Sequence, residues 1–251
     1  MEYFKSNKIE SIFNESLDLD SIANNLETDK GTADARKLSW GPYYLGHHCM
    51  HYTPVYQKYM NPFRLENVSL FEVGICDQRF PFASCKMWAT YFKNAKLYAL
   101  DNFWNRGFDR ADSNILSLSR LGVDFFYADQ GNAQDWDAIE AIIPKNSLDF
   151  FVEDGSHFPE HMMYTLWRSI NLIKSGGYYF MEDIGTNKSS GLYGYNNTEI
   201  GASLFSMKNG SSLESSFLEK NKLQDIENNF KILEIKEDPM GLNYLAVLQK
   251  L

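Results

Sequence analysis

From Ser69 onward the chain alternates short apolar runs with longer segments whose apolar residues recur at helical spacing. Ser69–Gly74 (SLFEVG) reads as a buried strand, Phe82–Phe92 as a helix, Lys96–Asp101 as a strand and Asp112–Leu121 as a helix. Val123–Asp129, Leu148–Asp154 and Gly176–Ile184 are further strands, with Asp135–Ile143 and His161–Ile173 as the helices between them. These strands are continuous apolar runs rather than strict alternations, the pattern of parallel strands covered on both faces. The repeated β-α-β-α order predicts an α/β fold with a doubly wound, mostly parallel sheet. After a helix-like Leu213–Ile226, two apolar runs flank Asp238-Pro239-Met240-Gly241, which predicts a terminal antiparallel hairpin.

The chain before this sheet reads differently. Ile9–Leu26 carries apolar residues near helical spacing, Thr28–Lys37 is a charged turn, and His47–Met60 is rich in His and Tyr. The expected organisation is therefore a helical N-terminal segment over 1–65 and a sheet domain over 66–251. Within the latter, Gly185–Gly201 is rich in Gly, Asn and Ser, and the segment 185–212 is a candidate lid or binding loop.

In open α/β sheets, ligands bind outside the carboxyl ends of the strands. Each predicted strand delivers acid to that edge: Glu72 before Gly74, Asp101, Asp129 beside Gln130, Glu153-Asp154 and Glu182-Asp183. Unpaired carboxylates are costly to bury, so they must face a ligand, a metal or water. Asp101 is placed to accept ribose hydroxyls, and Gly74 lets backbone approach a cofactor because it has no Cβ. Asp129 and Gln130 are candidates for an adenine amino group. Asp154, Glu182 and Asp183 repel one another unless something positive sits among them, and a hard cation such as Mg²⁺ or Ca²⁺ would serve. His157 lies at the turn into the next helix and could take a proton from a substrate hydroxyl. Other readings stay open: Glu153 facing solvent or capping a helix, Asp154 and Ser156 as N-caps, or zinc on His157 and His161. Pro159 weakens the zinc reading by placing only His161 inside the helix. Tyr193, Tyr195, Trp104 and Arg106 are candidate acceptor contacts.

Composition narrows the partners. The chain has 251 residues, 44% of them hydrophobic, enough for a sizeable core. Its 24 Lys and Arg against 33 Asp and Glu give a net charge of −9, which argues against nucleic acid as the partner. The three cysteines are odd in number and show no CxxC spacing, so a disulfide framework is not expected. No apolar run approaches the ~20 residues that span a bilayer. The N-terminus shows no apolar signal core. A soluble, cytoplasmic protein is the expectation. The aromatic N-terminal segment is compatible with packing on its own domain or in a homo-oligomer.

FEVGI, YALD, ADQ, FVEDGSH and SGGYYFMEDI, in that order, resemble class I S-adenosylmethionine-dependent methyltransferases. The likeness is to the metal-dependent branch that methylates rhamnosyl or mycinosyl sugars. TDKG followed by HYTPVYQKYM resembles the N-terminal signature of that branch, so the likeness runs roughly from Asn25 to Ile184. It implies a Rossmann-like, seven-stranded sheet and sugar O-methylation with Mg²⁺ held by Asp154, Glu182 and Asp183. It implies His157 as general base beside Asp154, a methyl-donor site of Glu72, Gly74, Asp101, Asp129 and Gln130, and Thr28 and Lys30 closing over it. The turn CDQRFPFASCKMW departs from the family pattern, so Asp77 and Gln78 receive no role. A nucleotide-activated hexose or heptose for bacterial capsule or surface polysaccharide is the expected acceptor. The alternatives are a non-sugar small molecule or natural product as acceptor, or a metal-dependent hydrolase on a Rossmann-like sheet. An NAD-dependent oxidoreductase is disfavoured because the first turn lacks GxGxxG.

Overall fold

The computed structural model describes residues 1–6, 12–33, 50–75, 82–103, 112–185, 198–237 and 244–251. The strands are β1 (Glu2–Phe4), β2 (Asn67–Val73), β3 (Asn94–Asp101), β4 (Val123–Tyr127), β5 (Leu148–Glu153), β6 (Ile173–Met181), β7 (Phe230–Glu237) and β8 (Tyr244–Lys250). The helices are α1 (Leu19–Asn25), α2 (Thr53–Met60), α3 (Ala83–Tyr91), α4 (Asp112–Arg120), α5 (Ala133–Ile142), α6 (Pro159–Ser169), α7 (Thr198–Lys208) and α8 (Lys220–Asn229). The eight described strands belong to one mixed sheet. By contacts the chain divides into two compact units. An N-terminal unit holds 2–69 and 75–127; a C-terminal unit holds residue 1, 70–74 and 128–251.

In the N-terminal unit β3 pairs parallel with β4, and β1 pairs antiparallel with β4. β1 is the eighth strand, where seven were expected. It is too short to announce itself by periodicity, and long-range contacts create it. Tyr3 stacks on Phe126 at 4.9 Å, and Phe4 on Phe125 at 6.2 Å. Asp124, buried in β4, accepts from the Tyr3 hydroxyl at 2.5 Å, from Ser6 N–H at 2.8 Å and from Ser6 Oγ at 2.7 Å. Lys96 Nζ lies 2.6 Å from the same carboxylate. Of the helical reading of Ile9–Leu26, residues 9–11 lie outside the described residues, 12–18 is irregular and Leu19–Asn25 is α1, which Asp18 caps by accepting Ser21 N–H at 2.7 Å.

In the C-terminal unit β2, β5 and β6 run parallel, and β8 is inserted antiparallel between β6 and β7. The terminal hairpin is therefore present, while its turn, 238–243, lies outside the described residues. β5 is buried along its whole length, as its unbroken apolar run requires. Register puts Phe71, Phe151 and Tyr179 side by side on one face, with ring centroids 5.0 Å apart at each step. Arg168 of α6 ties that helix to α5, donating to Glu140 at 2.6 Å and Asp137 at 2.8 Å. Of the candidate lid, 198–208 is helix α7 and 186–197 lies outside the described residues. No helix among the described residues is long and apolar enough to cross a membrane.

Burial by itself would raise the Asp124 carboxyl, but the Lys96, Tyr3 and Ser6 donors outweigh it and hold it below its ordinary value of 3.8. A depressed acid contributes stability above its unfolded pKa and loses it as pH falls through the folded one. Asp124→Asn should therefore cost about 3 kcal/mol at pH 7, and that deficit should shrink below about pH 4. Urea midpoints at pH 7 and pH 3 test this; equal deficits at both would mean the charge contributes nothing.

Candidate active site

The stretch VEDGSH ends β5 and turns into α6, which starts with Pro159 at its first position. The β-ladder continues past the strand: Asp154 N–H donates to Val73 O at 2.9 Å, and Glu182 N–H to Glu153 O at 2.9 Å. Two glycines make this close approach feasible. Gly74 has φ +82°, and a Cβ there would lie 1.9 Å from Asp154 O. A Cβ on Gly155 would lie 1.9 Å from Gln130 Oε1. His157 and Asp183 both adopt left-handed backbone, φ +58° and +53°. Such conformations cost non-glycine residues about 1–2 kcal/mol each and persist only where the surroundings enforce them.

The turn gathers charge. His157 Nε2 lies 3.9 Å from Asp154 Oδ1 and 3.9 Å from Asp183 Oδ2. One donor atom from each of the three falls within 4.8 Å of the others. Two carboxylates facing one imidazole suit a hard cation between the carboxylates, or a proton on the imidazole. The three expected metal ligands are not equivalent in this arrangement. Asp154 and Asp183 converge with His157, whereas Glu182 is buried and lies outside that group. Alternation alone does not account for the difference, since Glu182 follows Phe180 by two residues as Asp154 follows its cross-strand neighbour Val152; Asp183 departs from the strand pattern, with left-handed backbone.

Glu153 takes the opposite face, with Phe151 and Tyr179, and is fully buried. It neither meets solvent nor caps a helix, and the alternation along β5 already implied this. Its Oε1 accepts from Gln130 Nε2 at 3.0 Å, while Oε2 finds no hydrogen-bond donor. Burial pushes its carboxyl up to about 7, with His157 and the Gln130 amide pulling the other way. Tyr179, whose hydroxyl is buried without a hydrogen-bond partner, is pushed well above its ordinary value by burial and then by Glu153.

Gln130 departs from expectation. The sequence put it against an adenine, but its side chain is turned inward and its amide is used within the protein. Besides Glu153, Nε2 reaches Thr165 Oγ1 at 3.3 Å, and Oε1 accepts Ser156 N–H at 2.7 Å. Ser156 is not the cap of α6, whose N-cap is Phe158; its Oγ pairs with His161 Nδ1 at 3.0 Å. The His161 ring in turn fills the space a Cβ on Gly131 would need, which removes it from any zinc pair with His157.

Asp129 sits in an exposed turn, its Oδ1 accepting Gly131 N–H at 2.8 Å. Glu72 is buried in β2. In the N-terminal unit, Asp101 is held by two backbone donors, Ile75 N–H at 3.0 Å and Phe103 N–H at 2.7 Å, one to each oxygen. Thr28 and Lys30 are buried, with Thr28 Oγ1 accepting Lys30 N–H at 3.3 Å. Sequence reasoning missed Asp20, which anchors this loop by accepting Thr32 N–H at 3.0 Å and the Thr32 and Thr53 hydroxyls. Trp104, Arg106, Tyr193 and Tyr195 lie outside the described residues.

The architecture is that of the class I methyltransferase fold. MycE methyltransferase of mycinamycin biosynthesis, solved with Mg, SAH and mycinamycin VI, matches 93% of this chain and 54% of its own at TM-score 0.60 and 18% identity. Another crystal form, with Mg and SAH, gives TM-score 0.62 at 21% identity, over 93% of this chain and 53% of that one. Among curated proteins, a tetracenomycin 3'-O-methyltransferase of Streptomyces olivaceus, its name placing a 2-methoxy-rhamnosyl group on the substrate, is 26% identical over 172 residues. That match covers 66% of this chain and 39% of the relative. The 8-demethyl-8-alpha-L-rhamnosyl tetracenomycin-C 2'-O-methyltransferase of that organism is 31% identical over 140 residues, 54% of this chain and 34% of the relative. The L-olivosyl-oleandolide 3-O-methyltransferase of Streptomyces antibioticus is 27% identical over 187 residues, 72% and 41% of the two chains. This chain thus spans less than half the length of each of these relatives. No protein-family model matches it.

Gly74 and Gly176 share φ +82°, but nothing lies within 4 Å of a Cβ on Gly176. Gly176→Ala should cost about 1 kcal/mol, from backbone strain alone. Gly74→Ala should cost at least about 3 kcal/mol more, because backbone must move. Urea unfolding of both variants compares them, and similar losses would remove the steric account of the β2–β5 approach.

Proposed function

We propose that this chain is an S-adenosylmethionine-dependent O-methyltransferase acting on a sugar hydroxyl, with Mg²⁺ assisting. The observation that carries the reading is the His157 imidazole, buried and equidistant from Asp154 and Asp183, at the strand ends of a class I methyltransferase fold. The names of the curated relatives, each an O-methyltransferase with a sugar on its substrate, support the sugar. They support a sugar carried on a larger natural product better than a nucleotide-activated hexose or heptose, which has no counterpart among them.

The donor supplies a methyl group already activated as a sulfonium. The protein's work is to align, to exclude water and to remove one proton. Asp101, fixed by two backbone N–H groups, takes the ribose hydroxyls of the donor. The family resemblance assigns Glu72, Gly74 and Asp129 to the donor site as well, and gives Thr28 and Lys30 of the TDKG loop a donor-binding role. His157 takes the proton of the acceptor hydroxyl as its oxygen attacks in line. Orientation of the two reactants is worth about 7–11 kcal/mol. Asp154 and Asp183 offer converging oxygens that fit a hard cation; Glu182 stays a proposed ligand on the family resemblance alone. That cation would make the acceptor hydroxyl more acidic.

His157→Ala should lower turnover by about 10²–10⁴-fold while S-adenosylhomocysteine still binds by calorimetry. Near-normal turnover would remove His157 as the base. With EDTA-stripped protein, S-adenosylhomocysteine formation should appear on rhamnosylated or olivosylated acceptors only when Mg²⁺ is restored. Product without metal would keep the methyltransferase and end the metal assignment. Turnover of nucleotide-diphosphate sugars alone would move the acceptor back to the nucleotide-linked class.

A further inference from the structure

Gln130 reaches the turn that carries Asp154 and His157 without belonging to it. Its backbone carbonyl accepts the Trp136 indole N–H at 2.8 Å, so the residue is fixed at its base as well as its tip. Trp136 is fully buried against Phe71 and Phe151. From this fixed base the amide makes its three bonds: acceptor for Ser156 N–H, donor to Glu153 and donor to Thr165. Gly155 and Ser156 stand between Asp154 and His157 in the chain, and Gly155 is moulded so closely around Oε1 that no side chain fits there. The Gln130 amide thus supports a turn whose His157 backbone is held in a left-handed conformation.

We infer that Gln130 is a positioning residue. It sets the spacing of His157 and Asp154 through Ser156 and Gly155, and it makes no contact with the methyl donor. The catalytic part of this inference rests on the reading of His157 as base. The binding part does not.

Gln130→Met keeps the side-chain length and removes all three amide bonds. Mn²⁺ affinity, read by electron paramagnetic resonance, should fall by about 10–100-fold, the usual loss when a ligand's supporting partner goes. Turnover should fall by a similar factor at saturating donor. Affinity for S-adenosylhomocysteine and the KM for donor should stay within about twofold, since only orientation of the proton-accepting side is disturbed. The pair Gln130→Glu with Glu153→Gln exchanges donor and acceptor across the same contact. The new carboxylate still accepts Ser156 N–H and takes a hydrogen from the new amide and from the Thr165 hydroxyl. That double variant should recover at least tenfold of the loss seen in Gln130→Glu alone, a recovery that general destabilisation does not produce.

A Gln130→Met protein that keeps wild-type turnover and metal affinity but loses S-adenosylhomocysteine binding would overturn the inference and return Gln130 to the donor site. A folded double variant with no recovery in either readout would overturn it as well. Wild-type protein that binds Mn²⁺ but transfers no methyl group would sink the methyltransferase reading and leave the metal-affinity comparison to decide the role of Gln130.

Discussion

A carboxylate taken out of water must find donors or keep its proton, and the candidate-site edge of the C-terminal unit is organised by how Glu153 meets that demand. Alternation along β5 sends Glu153 into the aromatic layer of Phe151 and Tyr179. The Gln130 amide is what reaches it there. Once Gln130 is turned inward, its oxygen is free for Ser156 N–H, and the backbone of the following turn is set. The exposed-looking motif and the buried acid beneath it are one construction.

Asp124 and Glu153 make the point by contrast, each within its own unit. Both carboxylates are buried. Asp124 is surrounded by a lysine, a phenol, a hydroxyl and a backbone N–H, and is held ionised. Glu153 has one amide and a long 3.4 Å approach from Gly155 N–H, with Asp154 beside it adding negative charge. The first is a structural anchor for β1. The second leaves one oxygen without a donor next to the candidate chemistry. Burial alone does not decide the charge of an acid; the number and nature of its donors do.

Much of the sheet was legible because parallel strands buried on both faces have an unmistakable apolar signature, and all five of the parallel strands, β2 to β6, lie within a few residues of where that signature puts them. The terminal hairpin was legible from turn chemistry. β1 was not, since its existence depends on Asp124 and on two phenylalanines far along the chain. Strand-end logic brought Asp154, His157 and Asp183 to one edge, but Glu182 shows its limit: beyond the strand the backbone of the turn, left-handed at Asp183, decides which side chains meet. Gln130, Asp20 and the Ser156–His161 pair were beyond reach because each is defined by a partner distant in sequence, and a polar residue's direction cannot be read from its own neighbours. Only Glu153 was readable and misjudged, because its two-residue offset from Phe151 placed it inside.

The insertion of β8 between β6 and β7 has a consequence for how the chain comes to be. β7 leaves the ribosome before β8, yet it has no hydrogen-bonding neighbour until residues 244–250 arrive. Until then β6, the strand that leads into Glu182 and Asp183, also presents a bare edge. Such edges recruit other strands, and here the β6 edge stays uncovered until β8 has been made. A chain on which β8 has yet to pair therefore carries Glu182 and Asp183 at the end of a bare-edged β6, and it is β8 that covers that edge, leaving β7 as the outermost strand.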